Sequence, residues 1–402
     1  MPGLICVLGR SGADELARVA AGPLLRRPWQ RLDLATTGRD DVAVGFAGER
    51  GGVAVDPETG VAAAIDGELF GEEGVRTGTE AAAELLASYL AESSGLDPTE
   101  GAFAAAFWDP RSEILTLVND RYGRRPVWTA KLGGSLLVAG EVKALVAAGI
   151  EPRLDLETWA QLLAYEGPLP GHSPLEGVSL LPGAATLTIT LGGEERLTRR
   201  WRYRVEPDQD GDVEEWAEEF ARLLDRALGR RLSPRIGLAL SGGYDSRCVA
   251  SIVRVRAPYT VAMTYGGVGS DDLRLGTRVA EVAGIAHRPA PFNPGFVARG
   301  APETVWLSEG AIRAFHVHHL ALSALRSTDE REAVLICFGG DHVVRTIGGA
   351  LQRGGETVEG DNFHRWRARS LTDDLVEQVL TPAFAGQIRG LARASIRRLL
   401  DA

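Results

Sequence analysis

The sequence predicts two domains in series: an α+β sandwich-like domain, then an α/β domain built on a parallel sheet. Two observations predict this. In the first half, short apolar runs alternate with Gly, Pro and Asp turns, with few helical patterns between them. Beyond the acidic, turn-rich stretch Glu206-Pro-Asp-Gln-Asp-Gly-Asp212, strands alternate with helices. That alternation is the pattern of parallel strands joined by crossover helices.

The first domain is expected over residues 1–205. Its strands are read at 4–8, 42–46, 61–65, 102–108, 114–118, 135–139 and 185–189, each a short apolar run bounded by turn residues. A helix is read at 79–91. The stretch 206–212 reads as a linker. The second domain is expected over 212–402. It opens on an amphipathic helix at 213–228, whose charge run 214–219 is a solvated face. Strand 236–240 precedes helix 244–255, strand 259–265 precedes helix 273–283, and a further strand is read at 333–338.

Composition narrows the function classes. A formal net charge of −10 argues against a broad surface for nucleic acid or anionic membrane. Lys131 and Lys143 are the only lysines, which limits where a catalytic lysine could stand. Cys6, Cys248 and Cys337 are too few and too scattered for a disulfide framework or a zinc site, and a reducing, cytoplasmic location is expected. The first residues lack the pattern of a signal peptide, and no apolar run approaches the span of a bilayer.

The strongest chemical signal is Ser241-Gly-Gly-Tyr-Asp-Ser246, set between an apolar strand and a helix. Gly242 and Gly243 carry no Cβ, so the backbone can turn sharply and approach an anion closely. The N–H groups and positive dipole end of the following helix face that anion. Ser241 and Ser246 add hydroxyl donors, and Asp245 calls for a Mg²⁺ bridging phosphates. Strand 333–338 leads to Gly339-Gly-Asp341. Ligands sit at the carboxyl ends of strands in open parallel sheets, so Asp245 and Asp341 are read as converging on one Mg²⁺–pyrophosphate. The Walker pattern GxxxxGK[ST] is absent. The cluster His316-Val-His318-His319 is read as a pocket wall or solvent-facing group, because no carboxylate is spaced to complete a metal site.

The order SGGxDS resembles the pyrophosphate loop of ATP pyrophosphatases, which cleave ATP to AMP and pyrophosphate. With Gly269-Ser-Asp-Asp272 and Gly339-Gly-Asp341 it resembles the synthetase domain of the asparagine synthetase family. The first domain is similar to that family's glutaminase domain. The segments Ala63-Ala-Ile-Asp-Gly-Glu-Leu-Phe70, Gly101-Ala-Phe-Ala-Ala-Ala-Phe-Trp-Asp109 and Asn119-Asp-Arg-Tyr-Gly-Arg-Arg-Pro126 carry this likeness. So do Val138-Ala-Gly-Glu-Val-Lys-Ala-Leu145 and Val178-Ser-Leu-Leu-Pro-Gly183. The resemblance implies an N-terminal-nucleophile-type sandwich, followed by an ATP-pyrophosphatase domain that uses ATP and Mg²⁺.

Two departures imply that the glutaminase is dead. The family's nucleophilic N-terminal Cys is matched by Pro2, and Cys6 cannot supply its own free amine. The Asn expected to donate to the oxyanion is Asp66. Another amine must then be the nucleophile, as in β-lactam-type synthetases and lasso-peptide cyclases. Phe338 stands where asparagine synthetases carry Glu and β-lactam synthetases carry Tyr, and it has no proton to move. The Arg247 that follows the loop is more like the lasso cyclases. Their reaction closes a macrolactam between the α-amine of residue one and an Asp or Glu side chain.

The resemblance therefore implies an ATP-dependent amide ligase. ATP is expected on Leu240, Ser241, Gly242, Gly243, Asp245, Ser246, Met263, Gly339 and Gly340. Asp245, Asp341, Glu309 and Arg345 are expected to be catalytic, with Asp245 and Asp341 holding Mg²⁺. The expected partners are a precursor peptide, a leader-peptide-binding protein and a transglutaminase-like protease. Family members usually continue well past the GGD motif into a region carrying a catalytic or pyrophosphate-stabilising Lys, whereas no lysine follows Lys143 here. Either Arg345, Arg353 or Arg365 replaces it, or the chain is truncated. Asparagine synthetase, β-lactam-type synthetase and a non-catalytic scaffold that binds ATP or peptide are the alternatives.

Overall fold

The computed structural model describes residues 3–72, 74–91, 99–202, 204, 211–233, 235–312, 316–318, 320–322, 333–336 and 373–401. The chain divides into two compact units, Met1–Glu206 with Trp366–Ala402, and Pro207–Arg365.

The first unit runs β1 (Gly3–Leu8), α1 (Ala13–Ala21), β2 (Arg31–Ala35), β3 (Val42–Gly48), β4 (Gly51–Val55), β5 (Ala62–Gly71), β6 (Gly74–Thr77) and α2 (Gly78–Ala91). It continues β7 (Gly101–Asp109), β8 (Ile114–Asn119), β9 (Trp128–Leu132), β10 (Ser135–Ala139), α3 (Val142–Ala147), α4 (Leu156–Tyr165), β11 (Val178–Leu180), β12 (Ala185–Thr190) and β13 (Glu195–Arg199). One antiparallel sheet has the order β11-β9-β10-β1-β3-β2; the other is β13-β12-β8-β7-β5-β4, with β6 also on β5.

The apolar strands explain the layering. Along β1, Leu4, Cys6 and Leu8 enter a core shared with Ala64, Ala106, Trp108 and Leu117 of the other sheet. The alternate residues Ile5 and Val7 pack outward on α1 and α3. Ile65, Phe103 and Phe107 meet Leu85 and Leu86 of α2. Successive side chains point to opposite faces of a strand, so strands apolar throughout must be covered on both sides. The result is a helix–sheet–sheet–helix sandwich of the expected N-terminal-nucleophile type.

The motif at 119–126 is mainly architectural. Asn119 donates through Nδ2 to the Pro182 carbonyl at 2.8 Å and accepts from Ala185 N–H at 3.1 Å. Buried Asp120 accepts from the N–H groups of Phe103, Tyr122 and Arg124. Gly123, at φ 61°, approaches Gly183 so closely that a Cβ would stand 3.1 Å from its Cα. Two turns distant in sequence are thus locked together.

The second unit runs α5 (Val213–Gly229), β14 (Ile236–Ala239), α6 (Tyr244–Arg256), β15 (Val261–Gly267), α7 (Asp271–Ala283), β16 (Ala286–Phe292), α8 (Pro294–Ser308) and β17 (Ala333–Leu335). Its four described strands pair in parallel in the order β16-β15-β14-β17. From β14 the chain steps outward to β15 and β16, then returns to β14's other side with β17. The carboxyl end of β14 therefore lies at the reversal of strand order, the place where such sheets bind ligands.

The chain ends with α9 (Asp373–Val379), α10 (Pro382–Ile388) and α11 (Leu391–Asp401). In the structure these helices fall in the first compact unit. Buried Ala392, Ser395 and Ile396 give α11 a face, and α11 packs on α4. The Tyr165 hydroxyl donates to the Ala392 carbonyl at 2.8 Å, and Arg398 pairs with Glu157 at 2.6 Å.

Candidate active site

The site begins where β14 ends. Leu240, buried, donates its N–H to the Met263 carbonyl on β15 at 2.9 Å, holding the exit of β14 against its neighbour. The chain then passes through Ser241 and the two glycines into α6. Ser246 is the hub of this turn. Its buried hydroxyl oxygen accepts from Ser241 N–H at 3.2 Å and lies 3.0 Å from the Ser241 carbonyl, 3.2 Å from the Gly243 carbonyl and 3.1 Å from Ser241 Oγ. Gly243 N–H donates to Ser241 Oγ at 3.2 Å. Both serines thus shape the loop as well as offering hydroxyls.

The structure gives each glycine a specific place in the turn. Neither has a positive φ, so the turn uses ordinary backbone. Gly242 is required for space: a Cβ there would lie 2.5 Å from Cβ of Leu275 on α7. Gly243 is the N-cap of α6, at φ −72° and ψ 160°, and no side chain caps the helix. The first-turn N–H groups of α6 are left to point past the end of β14. Asp245 is exposed in that first turn, where a carboxylate also complements the helix dipole.

Leu240, Ser241, Gly242, Gly243, Asp245 and Ser246 thus form one loop, with Met263 beside it. Glu309 stands at the other end of α8 from Pro294, as its C-cap at φ 52°, with its N–H closing on the Val305 carbonyl. Gly339, Gly340, Asp341, Arg345, Arg353, Arg365 and Phe338 lie outside the described residues. Because β17 adjoins β14 in parallel, the chain leaves β17 at the same end of the sheet as Ser241. Among the described residues no group of His, Cys, Asp and Glu is arranged to hold a metal ion.

Features that sequence periodicity did not reveal flank the loop. Tyr265, at the end of β15, stacks on His318 at 4.5 Å and on Phe292 at 5.6 Å, and Phe292 stacks on Phe296 at 4.9 Å. His316 meets His318 edge-on, so this part of the histidine cluster belongs to an aromatic stack. Burial, with Asp272 nearby, pushes the Tyr265 hydroxyl pKa up. Thr264 and His287 Nε2 share a hydrogen bond of 2.9 Å, and burial holds the imidazole below its ordinary pKa. Thr264 and His287, and Tyr265 and Phe292, lie 23 and 27 positions apart, and the neighbouring parallel strands β15 and β16 bring them together.

In the first unit, Cys6 is sealed between the sheets at 1% exposure. Burial pushes its thiol up to about 12, so it stays protonated and unreactive at neutral pH. Asp66 is also buried, and burial raises its carboxyl to about 6 against the pull of Arg125.

A glutamine amidotransferase domain matches residues 67–202, and an asparagine synthase domain matches residues 219–401. These are the two domains of the asparagine synthetase family, in that order. A glutamine-hydrolysing asparagine synthetase 3 of Bacillus subtilis is 29% identical over 46% of this chain and 33% of its own. Amidase chyE of Penicillium rubens is 28% identical over 49% of this chain and 31% of its own. A putative glutamine-hydrolysing asparagine synthetase of Mycobacterium bovis is 24% identical over 52% and 34%. The matched segment spans about a third of the length of these relatives. Likeness to solved structures is loose: the glutamine PRPP amidotransferase of B. subtilis superposes with a TM-score of 0.36 at 12% identity, over 71% of this chain and 65% of that one.

Proposed function

We propose that this chain is an ATP-dependent ligase that adenylates a peptide carboxylate, releases pyrophosphate and closes a macrolactam with the substrate's own amine, as in lasso-peptide biosynthesis. One contrast carries the reading. The phosphate loop is formed at the strand-order reversal, whereas the thiol nearest the start of the amidotransferase half is sealed and protonated. A site that activates a carboxylate without glutamine-derived ammonia needs an amine from elsewhere.

In this reading the N–H groups of α6 and the hydroxyls of Ser241 and Ser246 bind the β- and γ-phosphates, and adenine lies against the strand of Met263. Asp245 with Asp341 would hold Mg²⁺, which would offset charge on the departing pyrophosphate. Asp245 fits that role as an exposed carboxylate in the first turn of the loop's own helix. Glu309 and Arg345 are assigned to the acyl-adenylate and the leaving pyrophosphate. Water exclusion and positioning do most of the remaining work, because an acyl-adenylate reacts readily with an amine held beside it. A precursor peptide, a leader-binding protein and a transglutaminase-like protease are the proposed partners, in the cytoplasm. The described helices include none long and apolar enough to cross a membrane.

ATP–pyrophosphate exchange with a candidate precursor peptide tests the reading. Exchange that Asp245→Ala abolishes, with the fold retained, supports it. Exchange driven by free aspartate would favour an asparagine synthetase, which the domain match also allows. A wild-type chain that binds ATP or peptide yet never yields AMP would favour a scaffold.

A further inference from the structure

Arg247 sits in the first turn of α6, where a cation opposes the helix dipole. Although exposed, its side chain folds back along the helix. Its Nε donates back to the Gly243 carbonyl at 3.3 Å, and its guanidinium lies 4.4 Å over the Tyr244 ring. Tyr244 is itself 80% exposed, so burial of the ring does not explain the pairing. These two contacts fold the charge toward the helix's positive end. The terminal amino groups of Arg247 have no hydrogen-bond partner among the described residues. A guanidinium held by one edge and one face, with its fork unoccupied, is prepared for a bidentate oxyanion.

We infer that Arg247 is a pyrophosphate-binding residue: its fork holds the β- and γ-phosphates of ATP, with Tyr244 as its platform. This rests on the proposed ATP site. As the carboxylate attacks the α-phosphorus of ATP, the bond to pyrophosphate breaks and negative charge gathers on the leaving pyrophosphate beside the α6 N-terminus, where a preorganised cation stabilises it. The Tyr244 ring fixes the fork's direction, so less freedom is lost on binding than for an unsupported arginine. AMP lacks the β- and γ-phosphates and should not depend on this contact.

The test is calorimetric titration of the full chain with inorganic pyrophosphate and, separately, with AMP, both in Mg²⁺ buffer. Arg247→Gln should weaken pyrophosphate by about tenfold or more, the scale of losing a hydrogen bond to a charged group. AMP affinity and the thermal midpoint should be unchanged. Arg247→Lys should recover part of the loss, because it restores charge without the fork. Tyr244→Leu should weaken pyrophosphate several-fold less than Arg247→Gln does. If Arg247→Gln binds pyrophosphate as tightly as wild type, the inference is wrong while the ATP site stands. A wild-type chain that binds neither ligand would overturn both.

Discussion

Asp66 Oδ2 stands 4.0 Å from Arg125 Nε inside the first unit, and Asp66 Oδ1 has no hydrogen-bond partner among the described residues. The pair is lopsided: the carboxylate is sealed in the sandwich, whereas Arg125 keeps 20% of its side chain in contact with solvent. One distant charge only partly offsets the cost of burying another.

That imbalance predicts a pH-dependent loss of stability. The carboxyl titrates at about 6 when folded against 3.8 ordinarily, so the folded state holds the proton more tightly. The stability this group contributes is full below pH 3.8 and is lost as pH rises through about 6. Asp66→Asn cannot ionise and should be more stable than wild type at neutral pH by about 1–2 kcal/mol, with the advantage vanishing near pH 4. Urea unfolding of both proteins from pH 4 to 8 measures this. Parallel profiles would show that the carboxylate is better solvated than its burial implies.

The thiols should separate by reactivity. Cys248 is exposed and Cys6 is buried. In a Cys337→Ala background, native protein should titrate one thiol promptly with a disulfide reagent and the second only on unfolding. Glutamine should release no glutamate above background, and Cys6→Ala should not alter that. Cys6-dependent glutamate release would mean that the first unit opens to substrate.

Ser246→Ala should separate loop order from global stability. It removes the hub joining Ser241 to Gly243. The cost to folding should be about 1 kcal/mol, whereas pyrophosphate affinity should fall about tenfold as the N–H groups lose alignment. A fall in thermal midpoint without a fall in affinity would assign Ser246 to packing alone.

The strands at 4–8 and 135–139 and the turn into α6 were legible because continuous apolar runs end at glycines and serines, and local chemistry decides those features. The edge strand β16, Ala286–Phe292, was missed. Its two prolines speak against a strand, yet an edge position tolerates them. The clearance that Gly242 gives Leu275 was not legible, since Leu275 lies a whole β–α unit away. The Tyr265 stack and the Asp66–Arg125 pair were invisible for the same cause. Their members lie far apart in sequence and leave no periodic trace. The C-terminal helices show this at the largest scale, because nothing local in 391–401 says which unit receives them.

That docking carries the last prediction. The Tyr165 hydroxyl, buried on α4, donates to the Ala392 carbonyl near the start of α11. Tyr165→Phe keeps the ring and deletes only the donor, so the cost should be about 1 kcal/mol, the net worth of one such bond. Arg398→Ala removes an exposed pair with Glu157 and should cost at most a few tenths of a kcal/mol. The two sites are about two helical turns apart on α11, so their effects should add. If α11 is held to the first unit as described, Tyr165→Phe should speed amide hydrogen exchange in 391–401 while leaving exchange in α6 unchanged. Faster exchange spread evenly over both units would place the contact's influence on global unfolding instead.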